Sequence, residues 1–206
     1  MGREYALQFK VWLWGIEPQI WRRFVFSPDI SFAELHEVMQ GAFGWKDTHM
    51  HQFTVGGFVV GAPEFEDGGL SGRQVFDAEK IYLRDLDFHR LSKPSFLYEY
   101  DFGDGWVHQF DLETHVQHDR PETRAFLMDG SRSGPPEDCG GPHSYEEFVL
   151  SLGDKTHPEH QSNKRWVGKS FDPEVFDPIK SRRVVDRALK RCQGTYRFRL
   201  ERTDPV

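Results

Sequence analysis

Alternating apolar and polar positions at the start of the chain predict a β-hairpin. Apolar side chains occupy every second position from Tyr5 to Leu13, which is the spacing of a strand with one face in a core. Gly15 and Pro18 interrupt this pattern, and an extended pattern resumes over residues 20–26. Two such runs separated by a short turn are expected to pair with each other.

The segment after the hairpin changes to helical spacing. Apolar residues recur three or four positions apart between Phe32 and Phe43. Ser31 and Glu34 have the spacing of a capping box, and Gly44 is placed to end a helix. We therefore predict an amphipathic helix over residues 32–43.

Further strands are predicted in the middle of the chain. Short runs with strand character lie near residues 49–55 and 80–84, with a glycine-rich loop between them at 63–77. Residues 96–101 and 106–113 flank a turn of Phe, Gly, Asp and Gly. This arrangement predicts a second hairpin.

Helices are predicted after residue 143. Capping boxes are suggested by Ser144 with Glu147 and by Thr156 with Glu159, and an Asp-Pro pair at 172–173 and another at 177–178 resemble helix starts. The order of elements predicts an α+β fold: a mixed β-sheet built from hairpins, with a packed amphipathic helix and C-terminal helices. We expect a single domain over residues 1–206, with a basic helix and tail at about 178–206.

Composition and charge exclude some classes of protein. No apolar run reaches the length of a membrane span, and two cysteines are too few for a secreted disulfide framework, so we expect a cytoplasmic protein with reduced cysteines. The net charge of -7 is uneven, because residues 180–206 carry nine Lys/Arg against three Asp/Glu. This basic tail can contact nucleic acid, dock on the acidic remainder of the chain or stay solvated.

Three histidines are candidate metal ligands. Strand alternation predicts that His49, His51 and His108 all point toward the apolar side of the sheet, and Asp101 and Asp104 flank the turn of the second hairpin. If these groups converge in one cavity, they can bind a divalent metal and activate water, or act as general acid and base without a metal. The alternative is that they are core histidines bonded to backbone groups.

Other candidate binding residues are aromatic, basic or part of a rigid loop. Trp21 with its two arginines can stack on a base or a peptide, or can be an edge-strand residue beside solvated arginines. Cys139 follows two acidic residues, which are expected to raise its pKa and disfavour a nucleophilic role. The full set is Trp21, Arg22, Arg23, Trp45, Tyr100, Trp106, Glu137, Asp138 and Cys139.

Five motifs in order resemble the plasmid pRiA4b ORF-3-like family. They are IWRR at 20–23, AELHEV at 33–38, FGW at 43–45 with HMHQF at 49–53, YEYDFGDGWVH at 98–108 and PPEDCGGP at 135–142. The resemblance implies a compact α+β fold without an established activity. Relatives labelled as resolvase-like passengers of transposons imply a link to a mobile element, but no serine-recombinase motif stands in this chain. Many relatives have a cysteine where Ser133 and Gly134 stand here, so a two-cysteine metal site is not expected.

Three functional hypotheses follow from the sequence. The first is a non-enzymatic module that binds a protein or a small ligand, which the lack of a complete catalytic motif favours. The second is a metal-assisted hydrolase or nuclease that uses the His/carboxylate cluster with a divalent metal as cofactor. The third is a nucleic-acid accessory protein of a mobile element that uses the basic tail.

Overall fold

One mixed sheet and four helices make up the described part of the chain. The computed structural model describes residues 5–62, 74–88, 94–117 and 123–192. The strands are β1 (Tyr5–Leu13), β2 (Trp21–Phe26), β3 (His51–Val55), β4 (Phe58–Gly61), β5 (Val75–Asp77), β6 (Ser95–Tyr100), β7 (Trp106–Gln117) and β8 (Ala125–Ser131). The helices are α1 (Phe32–Phe43), α2 (Gly141–Gly153), α3 (His160–Val167) and α4 (Pro178–Cys192).

The two predicted hairpins form the centre of the sheet. The strand order is β5-β4-β3-β6-β7-β1-β2-β8, so β1 pairs with both β2 and β7. The β4–β5 pair is parallel and the other described pairs are antiparallel. The sheet is therefore mixed, which confirms the predicted α+β class.

Helix α1 lies between the sheet and α4. The predicted capping box is confirmed, because the Ser31 hydroxyl accepts from the Glu34 backbone N–H and the Glu34 carboxylate accepts from the Ser31 N–H. Gly44 ends the helix in the left-handed region at φ 86°. A Cβ on Gly41 would lie 3.3 Å from the Cα of Val185, so this glycine lets α4 pack closely on α1.

Several predicted elements differ in the structure. The strand expected at 80–84 is wrong: only Tyr82 forms an isolated bridge, and a 3₁₀ turn follows at Leu83–Asp85, where the Asp85 carboxylate accepts from the Tyr82 N–H. The Thr156–Glu159 capping box does not form, because Thr156 bonds Asp154 and α3 begins only at His160.

Strands β4, β5 and β8 were not predicted, and β5 lies at the end of the segment expected to be a loop. Helix α2 begins three residues before Ser144. The start of α4 agrees with the sequence, since Pro178 opens the helix and Asp177 accepts from the N–H of Lys180. The basic tail beyond residue 192 lies outside the described residues. Within those residues, no helix is both long and apolar enough to cross a membrane.

Candidate metal centre

The turn between β6 and β7 presents one carboxylate in a fixed orientation. Asp101 adopts a left-handed conformation at φ 53°, and its Oδ1 accepts from the backbone N–H groups of Gly103 and Asp104 at 3.0 and 3.2 Å. An aspartate bonded to its own turn in this way is held without help from distant residues. Its Oδ2 is left to face His49, whose Nε2 lies 3.5 Å away.

The loop at 135–141 brings two more carboxylates to the same place. Glu137 is anchored because its Oε1 accepts from the Lys46 N–H at 2.6 Å and from the Tyr100 hydroxyl at 3.0 Å. Asp138 is left-handed at φ 58°. A Cβ on Gly141 would lie 2.3 Å from the backbone oxygen of Asp104, so only glycine fits where this loop meets the turn.

Asp104 acts as a support for this loop. Its Oδ2 accepts from the Gly140 N–H at 2.9 Å. Asp104 belongs to neither of the two groups of potential metal ligands found in the described residues. The structure therefore gives it a positioning contact, while it remains a sequence-based candidate for the metal set.

His49 lies at the centre of the carboxylates. Its Nε2 is 2.9 Å from Asp138 Oδ1, 3.5 Å from Asp101 Oδ2 and 4.0 Å from Glu137 Oε2. Ligands about 2.0–2.1 Å from a metal, at octahedral or tetrahedral angles, lie about 2.9–3.4 Å from one another. The distances from His49 Nε2 to the Asp101 and Asp138 oxygens are thus close to those between ligands of one metal, and potential ligand atoms of all three residues lie within 4.8 Å of one another.

Three carboxylates, those of Asp101, Glu137 and Asp138, lie around His49. No Lys or Arg side chain in the described ranges forms an ion pair with Asp101, Glu137 or Asp138. The imidazole of His49 is the group that these carboxylates surround. A metal cation would balance their charge where a single histidine cannot.

Buried aromatic residues pack next to the candidate metal centre. Trp45 stacks on Tyr100 with ring centroids 4.7 Å apart, and its indole N–H donates to the Pro135 carbonyl. Burial raises the pKa of the Tyr100 hydroxyl, which therefore stays protonated and donates to Glu137. Trp106 is buried beside Trp45 at 6.1 Å. Of these three predicted binding residues, Trp45 and Tyr100 bond the loop directly, and Trp106 packs beside Trp45.

Cys139 stays a thiol. Burial, followed by the nearby Asp104 carboxylate, raises its pKa to about 12. The acidic neighbours act in the direction that the sequence suggested, but burial is the larger cause. A thiol with this pKa is neither a nucleophile nor a ready metal ligand near neutral pH.

His51 belongs to a second cluster. Its ring stacks on that of His36 with centroids 3.5 Å apart and an interplanar angle of 10°. His36 also contacts Asp47 at 2.8 Å and the Tyr98 hydroxyl at 2.8 Å. Burial, and then the neighbouring His36, lower the pKa of His51 well below 6.5, so His51 is neutral.

His36, Asp47 and His51 also have potential ligand atoms within 4.8 Å of one another. Two rings stacked in parallel planes direct their lone pairs side by side, so a shared metal would require one ring to tilt. No sequence pattern marked His36 or Asp47 as a candidate ligand. The sequence offers little to identify them as ligands. His36 lies four positions after Phe32 in the segment with helical apolar spacing, and Asp47 lies in a loop where aspartate is common.

His108 lies in the aromatic core. It is fully buried, its Nδ1 lies 3.3 Å from the Tyr98 carbonyl, and its ring meets Phe43 and Trp45 edge-on. Burial lowers its pKa to about 3. No group of potential metal ligands in the described residues contains His49, His51 and His108 together. The predicted three-histidine cavity is therefore wrong, because His49 precedes β3 and faces the loop.

Trp21, Arg22 and Arg23 do not share one surface. Arg22 points into the core, where it donates to the carbonyls of Ala42, Trp21 and Ser131. Arg23 points to the opposite face and forms a bidentate pair with Glu113. The edge-strand interpretation is also wrong, because β8 pairs with the outer side of β2.

Residues of the centre line two concave regions. Glu137 and Asp138 line a cleft of 680 Å³ that also exposes Lys46 and the aromatic rings of Trp166 and Phe171. Asp101 lines a second pocket of 460 Å³. A ligand in either region can therefore lie close to the candidate metal centre.

The fold and the site together define an α+β protein with a mixed sheet and a His/carboxylate centre at the β6–β7 turn. The family described as plasmid pRiA4b ORF-3-like protein matches residues 5–180, and the chain belongs to this family. The resemblance proposed from the motifs is thereby confirmed.

The chain is also similar to two individual proteins. The chain is 34% identical over 184 residues to the uncharacterized protein y4hQ of Sinorhizobium fredii, covering 88% of this chain and 91% of that protein. It is also similar to the crystal structure of a protein of unknown function, MM3350 from Methanosarcina mazei Go1. That structure has a TM-score of 0.75 and 32% identity, and the match covers 86% of this chain and 98% of the other.

Proposed function

We propose that the protein is a ligand-binding module that binds one divalent transition metal through His49, Asp101 and Asp138. The observation that carries this proposal is the approach of two carboxylate oxygens to the Nε2 of His49, at 2.9 and 3.5 Å. These residues come from three separate segments of the chain. Glu137 Oε2, at 4.0 Å, is available as a further ligand directly or through water.

The ligand set favours a metal that accepts both nitrogen and oxygen. One imidazole with two or three carboxylates suits Zn²⁺ or Mn²⁺, and affinities for such sites rise from Mn²⁺ to Zn²⁺. Mg²⁺ demands oxygen ligands and releases its water reluctantly. We therefore expect Zn²⁺ to bind more tightly than Mn²⁺, and Mg²⁺ to bind most weakly.

Metal titration of chelator-treated protein tests this proposal. Calorimetry with Zn²⁺ should give one site, and His49→Ala and Asp138→Asn should each weaken it at least tenfold. His143→Ala and Asp129→Asn change exposed residues of the same types and should leave the affinity unchanged. Equal affinities in all five proteins would contradict the proposal.

Asp101→Asn is a sharper variant. Asparagine tolerates the left-handed conformation and can keep the acceptor that holds the turn, while it removes the charge facing His49. We expect the fold to be retained and the metal affinity to fall. Circular dichroism measured beside the titration separates loss of metal binding from loss of fold.

Metal-assisted hydrolysis is a second candidate function. It is favoured by the position of Glu137 and Asp138 on the wall of the 680 Å³ cleft, where a substrate would approach the metal. A metal with open positions can activate water for attack on a phosphoester or ester. The test is turnover of bis-p-nitrophenyl phosphate and p-nitrophenyl acetate by Zn²⁺- or Mn²⁺-loaded protein. Turnover that survives His49→Ala would exclude this centre as its source.

A further inference from the structure

The 460 Å³ pocket lies on the face of the sheet that α1 does not cover. Its floor is a row across four neighbouring strands, formed by Gly61, Gln52, Glu99 and Val107. Gly61 has no side chain, which opens space above the floor. Successive residues of a strand point to opposite faces, so Glu99 faces this pocket while Tyr100 faces the metal centre.

Glu99 presents one oxygen to the pocket. Its Oε2 accepts from the Gln52 amide at 2.6 Å and from the Thr54 hydroxyl at 3.3 Å. Both contacts use the same oxygen, and Oε1 has no hydrogen-bond donor within the described segments. The Glu99 carboxylate is therefore held in one orientation, and its Oε1 can accept a further hydrogen bond.

Apolar side chains form much of the described wall of this pocket. Val59, Ala62 and Val75 line the pocket beside the floor residue Val107, and Phe102, which is 49% exposed, also lines it. Among the described residues, the lining contains two carboxylates, those of Glu99 and Asp101, and neither Lys nor Arg. The histidine among these described residues is His51, which is neutral.

We propose that this pocket binds a small alkylammonium compound, with the ammonium group on Glu99 and the alkyl chain against the valines. A charge-assisted hydrogen bond to Oε1 would satisfy the second oxygen of the carboxylate. The volume lies within the range of about 300–1,000 Å³ typical of small-ligand pockets. Contact between the valine side chains and the alkyl chain of the amine would bury apolar surface and so favour binding.

Titration with n-pentylamine tests the proposal, and n-pentanol is the matched neutral probe. Chelator-treated protein is used, so that the result does not depend on the metal centre. We expect the amine to shift the methyl NMR signals of Val59, Val75 and Val107. We expect pentanol to bind with an affinity at least tenfold lower, as measured from the same signals. Equal effects of the two compounds would overturn the assignment to Glu99, because the pocket would then select only for apolar groups.

Two substitutions and one control complete the test. Glu99→Gln keeps the shape and an acceptor for Gln52 but removes the charge, and we expect at least a tenfold loss of pentylamine affinity. Val107→Phe fills the pocket, leaves Glu99 intact and should also abolish the shifts of Val59. Glu147→Gln, on an exposed face of α2, should bind as the wild type does. Unchanged affinity in Glu99→Gln would overturn the proposal.

The source of the ammonium group is also distinguishable. Nα-acetyl-lysine amide carries the same group on a peptide-like body. Shifts with this compound and none with pentylamine would overturn the assignment to a small amine and indicate a lysine of a partner protein instead.

Discussion

At the scale of single residues, burial decides the role of several side chains whose chemistry looked functional. Arg22 and Arg23 are neighbours in sequence, but strand alternation sends the first into the core and the second to the surface. The guanidinium of Arg22 lies 4.9 Å from the centre of the Phe43 ring and 4.2 Å from that of Phe176. Burial lowers its pKa to about 9, which still leaves it charged near neutral pH.

Arg22 is therefore expected to stabilise the fold. In Arg22→Met the apolar stem is kept but the carbonyls of Ala42, Trp21 and Ser131 lose a donor. We predict a loss of about 3 kcal/mol in the free energy of unfolding, measured in urea. Arg23→Met removes only a surface pair with Glu113, so its loss should stay below about 1 kcal/mol. Similar losses for both variants would contradict this assignment.

His108 is expected to make the fold sensitive to acid. Its pKa is about 3 in the folded protein against an ordinary 6.5, so protonation favours the unfolded chain. Its stabilising contribution is complete above pH 6.5 and is lost progressively as the pH falls toward 3. The buried, neutral His51 acts in the same direction.

The measurement is the free energy of unfolding at pH 7 and pH 4. We predict that the free energy of unfolding falls between pH 7 and pH 4 by about 2–3 kcal/mol less in His108→Phe than in the wild type, because phenylalanine does not titrate. His143→Gln changes an exposed histidine and should follow the wild type. Parallel pH profiles for wild type and His108→Phe would show that His108 does not titrate in this way.

At the scale of elements, the sequence predicted those that carry their own signals. Helix α1 has periodic apolar residues and a capping box, and the two hairpins have alternation and turns, so all three are present with nearly the predicted bounds. Strand β8 has no such signal, because Asp129 and Gly130 interrupt its alternation. It forms since β2 supplies its hydrogen-bond partners and α4 covers it.

The candidate site was only partly predictable for a related reason. Strand alternation identifies which side chains share a face, but His49 lies just outside β3 and does not obey it. Its contacts with Asp101 and Asp138 join positions 52 and 89 residues away along the chain. All three residues were candidates from the sequence, but their proximity depends on how the 135–141 loop and the β6–β7 turn fold against each other.

The capping boxes offer a test at this scale. Ser31 has both contacts of a capping box, whereas Ser144 lies inside α2 and does not cap it. We predict that Ser31→Ala lowers the free energy of unfolding by about 1 kcal/mol. Ser144→Ala should leave it nearly unchanged. Thermal or urea unfolding of the two variants distinguishes a cap from the same three-residue spacing within a helix.

At the scale of the whole molecule, the sheet and α1 join distant parts of the chain. Residues of β1 pair with β7, and those of β2 pair with β8, so early and late segments share one core. We therefore predict a single domain that unfolds in one cooperative transition. Fluorescence and circular dichroism should report the same midpoint. Two separate midpoints would mean that the C-terminal helices unfold independently.

The charge of the molecule bears on binding to nucleic acid. Helix α4 carries six Lys/Arg and one Asp, while the whole chain has a net charge of -7. Part of the basic charge on α4 is used inside the fold, because Arg182 donates to the carbonyls of Leu127 and Met128 and lies over the Phe126 ring. A duplex approaching the remaining basic residues also meets the field of the acidic body.

We therefore predict weak binding to duplex DNA. Fluorescence anisotropy with a labelled 20-base-pair duplex should give a dissociation constant above about 10 μM at 150 mM salt, in the range of non-specific binding. Any binding should weaken steeply as salt is raised, and Lys190→Gln with Arg191→Gln should reduce it further. Submicromolar binding at this salt concentration would contradict the prediction. It would make a nucleic-acid role for the basic C-terminal segment a stronger hypothesis than the metal-dependent ligand module.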